Sequence, residues 1–238
     1  PGRRRPTLPA VEVAGMTDKT MRFGAYVFDA YGTLFDVHSA VRRHAAALGP
    51  DATAFSDLWR TKQLEYTWVR SLAGRYRDFA VLTEDALDFC FARFPAVDRS
   101  LKADLLDAYS RLDCFAEVPA VLTALRQKGA RVAILSNGTP AMLAEAVTAA
   151  GIGALIDEVF SVDTLKIYKT APAAYALATE ALGLVPGEIA FQSSNRWDIA
   201  GAKAFGFTCH WINRSGAPDE YFELAPDAVF TTLEGLAA

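Results

Sequence analysis

The sequence predicts an α/β fold, a parallel-sheet Rossmann-like core with an inserted all-helical cap subdomain. Three observations carry this. From Pro119 onward, short apolar runs alternate with helical patterns, as strand–helix units of a parallel sheet do. From about His38 to Leu112 only helical periodicity is present. Several apolar runs also stop at acidic or small polar residues: at Asp29, at Ser136-Asn137-Gly138 and at Ser193-Ser194-Asn195.

Taken in order, residues 1–21 read as a disordered tail. Pro1-Gly-Arg-Arg-Arg-Pro6 is basic and aperiodic, and no apolar signal-peptide core follows it. The tail also fits sequence upstream of a start at Met16 or Met21. Ala25-Tyr-Val-Phe28 is a buried strand that ends at Asp29, with Gly32 opening the turn. An acid in that place is either a strand-end cap or chemistry. The helical block spans 38–112, which leaves 22–37 and 113–238 for the core. Within the block, Phe55, Leu58, Trp59, Tyr66, Val69 and Ala73 keep helical spacing. Arg60, Leu64 and Trp68 fall on another stripe of the same helix, where a cation joins apolar surface. A snorkelling arginine explains that stripe as well as a functional one does. Thr83 can cap a helix whose Leu87, Cys90, Phe91 and Phe94 form one face, and Leu101, Leu105, Ala108 and Leu112 form another.

In the core, Pro119 starts a helix that ends at Gly129, and Arg131–Ser136 is a strand. Thr139-Pro140 begins a helix that runs to Gly151. The short strand Glu158–Asp163 precedes the helix Pro172–Leu182. Then come the strand Glu188–Ser194, a helix from Asp198 to Phe205, the strand Thr208–Ile212 and a last strand at Ala228–Thr231.

A chain of 238 residues can bury a full core, and 52% hydrophobic with 22% charged residues suits a globular protein. A formal net charge of −4 gives no reason to expect a nucleic-acid partner. No apolar run approaches the roughly 18 residues of a membrane span. Cys90, Cys114 and Cys209 are odd in number and widely spaced, which suits free thiols in a reducing, cytoplasmic compartment. Each is either a core residue or a candidate nucleophile, and none sits in a recognisable motif.

Parallel strands bring Asp29, Ser136-Asn137-Gly138 and Ser193-Ser194-Asn195 to one sheet edge. Lys169 lies in a loop on that edge, and Asp198 opens a helix just after Asn195. Asp198 can be a first-turn acid or part of the cluster. A carboxylate beside a lysine is favoured in its charged form, and an ionised aspartate can act as a nucleophile. A second carboxylate could activate water or hold the lysine. Turn amides and Ser136 could hold an anionic group.

These residues together resemble the haloacid dehalogenase superfamily and, within it, the L-2-haloacid dehalogenases. The resemblance runs from about Arg22 to the end. Its most specific pieces are Phe28-Asp-Ala-Tyr-Gly-Thr-Leu-Phe-Asp36, Leu58-Trp-Arg-Thr-Lys-Gln-Leu-Glu-Tyr-Thr-Trp68, Leu135-Ser-Asn-Gly138 and Ser193-Ser-Asn-Arg-Trp-Asp198. Phosphatases of the superfamily show Asp-x-Asp-Gly-Thr in the first of these, and Tyr31 stands where their second acid would be. Ser193-Ser194-Asn195 is neutral where they hold Mg²⁺, an ion that favours carboxylate oxygens. A phosphatase or phosphonatase, and a binding protein that has lost catalysis, are the competing readings.

The resemblance implies hydrolytic dehalogenation of short (S)-2-haloalkanoic acids with no cofactor and no metal. It implies Asp29 as nucleophile, Thr33 as its orienting donor, Lys169 with Ser193 beside it as the neutralising group, and Asn195 and Asp198 as residues that position Lys169 and the hydrolytic water. Ser136 and the amides of Ala30, Tyr31 and Asn137 would bind the substrate carboxylate. Arg60 and Asn137 would receive the halide, and Tyr31, Leu64, Phe79 and Trp197 would line the alkyl pocket. The expected partners are a 2-haloacid, a halide and a second copy of the chain in a homodimer, with no nucleic acid and no membrane. Two positions depart from the family pattern: Thr170 replaces a proline after Lys169, which would free the lysine's backbone, and Thr61 replaces a frequent glutamine after Arg60.

Overall fold

Strand β1 (Ala25–Phe28) lies inside a sheet of six parallel strands, with a neighbour on each side. The computed structural model describes residues 23–236, so the predicted tail lies outside the described residues. The other strands are β2 (Arg131–Ser136), β3 (Glu158–Ser161), β4 (Ile189–Ser193), β5 (Thr208–Ile212) and β6 (Ala228–Phe230). Their order across the sheet is β3-β2-β1-β4-β5-β6. Every residue of β1 and β4 is buried, which is why neither shows a polar–apolar alternation, although β4 ends in the buried polar pair Gln192 and Ser193.

The order positions the site. The chain moves outward from β1 through β2 to β3, then returns to place β4 on the other side of β1. Loops leaving β1 and β4 therefore diverge, and a crevice opens at their carboxyl ends. Phe28 pairs with Ile134 of β2 and with Gln192 of β4, so Asp29, Ser136 and Ser193 emerge close to level.

Four helices pack on the sheet: α6 (Val118–Gln127), α7 (Pro140–Ala149), α8 (Pro172–Leu182) and α9 (Arg196–Phe205), numbered after the five helices of the inserted block. Thr139 caps α7 as expected, its hydroxyl accepting from the Met142 amide at 3.3 Å. Tyr175, Phe191, Phe205 and Phe207 form an aromatic cluster between α8, α9 and the sheet, with ring centroids 5.2–6.0 Å apart.

Between β1 and β2 the chain forms α1 (Ser39–Arg43), α2 (Ala45–Leu48), α3 (Ala52–Leu72), α4 (Phe79–Arg93) and α5 (Lys102–Ser110). The segments leading into and out of this block run side by side. Asp36 N donates to Asp113 O at 2.8 Å, and Phe35 bridges Cys114. Two expectations about the block need correction. Thr83 does not cap α4; Asp78 does, accepting from the Val81 amide at 2.9 Å, while Thr83 is buried a turn further in. The buried stripe of α3 is Phe55, Ser56, Trp59, Gln63 and Thr67, while Val69 is 57% exposed. Counting apolar residues misplaced the face because Gln63 and Thr67 are buried as hydrogen-bonded polar groups. Among the described residues no helix is long and apolar enough to cross a membrane.

Candidate active site

The carboxyl ends of β1 and β4, the loop after β3 and one helix of the inserted block converge on Asp29. Its backbone amide continues the sheet by donating to Gln192 O at 2.9 Å, which leaves the side chain free for other partners. Asp29 Oδ2 accepts from Thr33 Oγ1 at 3.1 Å and from Asn195 Nδ2 at 2.8 Å. Asp29 Oδ1 accepts from Lys169 Nζ at 3.1 Å. The carboxylate therefore binds side chains and caps no backbone group.

Lys169 bridges two acids, since its Nζ also lies 2.9 Å from Asp198 Oδ2. Asp198 sits in the first turn of α9, yet its carboxylate is engaged by Lys169 and by Tyr175, whose hydroxyl donates to Oδ1 at 2.8 Å. Lys169 and Asp198 are 1% and 0% exposed, so neither charge is solvated by bulk water. Burial works against the lysine's charge, but Asp198 and Asp29 outweigh it and raise its pKa. Burial raises the Asp198 carboxyl to about 6 against the pull of Lys169, and the like charge of Asp29 adds to the rise.

The turns are held by their own side chains. Ser194 N donates to Thr33 Oγ1 at 2.9 Å, the Ser194 hydroxyl bonds Gly32 O, and Arg214 donates to Thr33 O at 2.8 Å. Thr33 is thereby fixed as it reaches Asp29. Ser193 Oγ accepts from the Asn195 amide at 3.1 Å, and Ser136 Oγ accepts from the Gly138 amide at 3.1 Å. Asn137 Oδ1 accepts from the Lys169 amide at 3.0 Å, leaving its NH₂ end as a donor. That bond anchors the Lys169 backbone just ahead of Thr170. Among the described residues no backbone acceptor is seen for the amides of Ala30 and Tyr31, the two that follow Asp29.

From the helical block, Arg60 on α3 crosses the crevice. It donates to Tyr31 O at 3.1 Å and lies 3.4 Å from Asn195 Oδ1, contacts that a solvent-seeking arginine would not make. The Tyr31 ring is buried and tilted against Phe79, centroids 5.8 Å apart. Leu64 is half-buried one helical turn beyond Arg60. Trp197 meets Trp68 edge-to-face at 5.6 Å, at a groove of about 630 Å³ that Ile167, Lys169 and Thr170 also line. Thr61 is exposed, its hydroxyl folded back onto Asp57 O at 2.8 Å.

The sequence reading missed Tyr175 and Arg214 and undervalued Ser194. Tyr175 falls on an apolar face of α8 and looks like a core residue. Its phenol reaches Asp198 because Gly201 of α9 has no Cβ; one built there would lie 2.4 Å from the Tyr175 hydroxyl. The cysteines stay apart from this chemistry: burial pushes the Cys90 thiol up to about 12 and that of Cys114 to about 11. Among the described residues no group of three or more His, Cys, Asp or Glu side chains is placed to hold a metal ion.

Comparison with known proteins fits this geometry. A family model described as haloacid dehalogenase-like hydrolase matches residues 23–206. The chain is 48% identical over 198 residues to (S)-2-haloacid dehalogenase 1 of Pseudomonas sp. (strain CBS-3), covering 83% of this chain and 87% of that protein. It is 48% identical over 203 residues to (S)-2-haloacid dehalogenase 4A of Burkholderia cepacia, covering 85% and 87%. It superposes with a TM-score of 0.81 on the L-2-haloacid dehalogenase of Xanthobacter autotrophicus solved with chloropropionic acid covalently bound, at 38% identity over 90% of this chain and 97% of that one.

Proposed function

This chain belongs to the haloacid dehalogenase-like hydrolases, and on that premise we propose that it hydrolyses short (S)-2-haloalkanoic acids to (R)-2-hydroxyalkanoic acids and halide. One observation carries the reading. Asp29 is ringed by donors on Oδ2 and by a single lysine on Oδ1, while Tyr31 stands where phosphoryl transfer would need a second acid.

The mechanism follows from these contacts. The substrate carboxylate binds the amides of Ala30, Tyr31 and Asn137 with Ser136, which sets C2 in front of Asp29. Oδ2 already accepts two hydrogen bonds and Oδ1 only one, so Oδ1 is the attacking oxygen. The Oδ1–C2 bond forms as the C2–halogen bond breaks, with inversion at C2. The halide leaves with its electron pair toward Arg60 and the Asn137 NH₂ group, whose donors stabilise the developing anion. Tyr31, Leu64, Phe79 and Trp197 surround the alkyl part and exclude bulk water.

Water then attacks the Asp29 carbonyl carbon and Asp198 takes one of its protons. As the Cγ–Oδ1 bond breaks, Asp198 returns that proton to the departing oxygen, the 2-hydroxy acid leaves, and the water's second proton is released as the carboxylate is regenerated. The covalent adduct in the Xanthobacter relative supports the ester step. No cofactor enters either step. A homodimer and a reducing cytoplasm complete the proposal; three free cysteines suit such a compartment.

Single turnover in ¹⁸O-water, with EDTA present, tests this. The label is expected in the Asp29 carboxylate, read by peptide mass spectrometry. Label appearing directly in the hydroxy acid, or turnover that requires Mg²⁺, overturns the reading.

A further inference from the structure

We infer that Tyr109, on α5, is a positioning residue that aims Arg60 and so shapes the anion site above Asp29. The inference rests on the reading of Arg60 as the group that receives the halide.

Tyr109 is 3% exposed, and its ring stacks on Tyr31 with centroids 5.8 Å apart and planes 16° apart. Tyr31 also accepts the Arg60 hydrogen bond through its carbonyl. Tyr109 therefore packs on the residue that Arg60 grips. Its hydroxyl donates to Gln63 Oε1 at 3.3 Å, and Gln63 Nε2 donates to Thr83 Oγ1 at 3.2 Å. Trp59 Nε1 donates to Thr83 O at 2.8 Å, and the Trp59 ring returns to Tyr109 at 5.1 Å. This circuit links α3, α4 and α5, and two of its members, Trp59 and Gln63, flank Arg60 on α3.

The direction of the bonds matters. Gln63 Oε1 accepts the phenol's hydrogen bond, so the phenol oxygen turns its lone pairs elsewhere. Arg60 can only donate, and a lone pair on that oxygen is a suitable acceptor for it. Burial raises the Tyr109 pKa while the Arg60 charge and hydrogen bonding oppose it, as a guanidinium beside the phenol would. Without the hydroxyl, Gln63 loses its buried donor and the circuit that holds this stretch of α3, and with it the aim of Arg60, opens at the α5 side.

The test is Tyr109→Phe, which retains the ring stack. Chloride is a poorer leaving group than bromide and needs more help from Arg60. Turnover of 2-chloropropionate is expected to fall about tenfold, the worth of one hydrogen bond, with 2-bromopropionate falling less. Bromide binding, followed by tryptophan fluorescence quenching, should weaken by a similar factor. That titration needs no turnover, so it decides the role of Tyr109 even if the wild-type chain releases no halide from either substrate, a result that would refute the functional reading alone. Unchanged bromide affinity overturns the inference, whatever happens to Tm.

Discussion

On the core side of the crevice, Thr33, Asn195 and Lys169 bind Asp29 from turns and loops anchored at the ends of parallel strands. On the other side, Arg60 reaches over from a helix of 21 residues and is half-buried. The first arrangement is rigid because sheet register sets where each turn begins. The second depends on how a long side chain is steered by its neighbours. A fixed nucleophile and a steered cation divide the work: the core sets the bond that is made, and the helical block sets how well the departing group is received.

The division can be broken most sharply at Asp29. Asp29→Asn removes the nucleophile but retains a group of the same size, and halide release should fall by more than about a thousandfold with Tm nearly unchanged. Arg60→Lys keeps the charge but replaces a planar, delocalised donor, whose single Nη2 meets both Tyr31 O and Asn195 Oδ1, with a compact ammonium. Its kcat should drop by about ten- to a hundredfold, more for chloro- than for bromo-substrates in initial-rate assays. A pH profile separates the two chemical steps. Asp198 is a base only when deprotonated, so ester hydrolysis should fail on the acid side, at a pH below the value of about 6 that Asp198 holds while Asp29 is charged. Rapid-quench measurements there should show a burst of halide and accumulated ester. The smallest effect is expected far from Asp29. Thr83→Val strands the buried Gln63 amide and should cost about 1–3 kcal/mol in denaturant unfolding, with only a modest change in rate.

The same contrast explains what could be read from letters alone. The β1, β2, β4 and β5 segments are short apolar runs bounded by turn residues, and β2 and β5 fall on the predicted residues. Strand ends are sequence signals, so Asp29, Asn195 and Lys169 could be placed together before any coordinates. The inserted block was legible only as helix. Its interior holds Gln63, Thr67, Thr83 and Tyr109, and hydrophobic periodicity gives no sign that a polar residue is buried with a partner. Tyr175 was hidden for the opposite reason: a tyrosine among alanines looks like packing, and only the approach at Gly201 shows its hydroxyl turned to Asp198.

The shared lysine gives the site a sense of order. While Asp29 is charged, its repulsion helps keep Asp198 reluctant to ionise. Once Asp29 is esterified that repulsion is gone, and Lys169 has a single negative partner left. Asp198 then ionises more readily at the moment its proton-accepting form is needed. Making the ester arms its own removal, and returning the charge to Asp29 resets the pair for the next substrate.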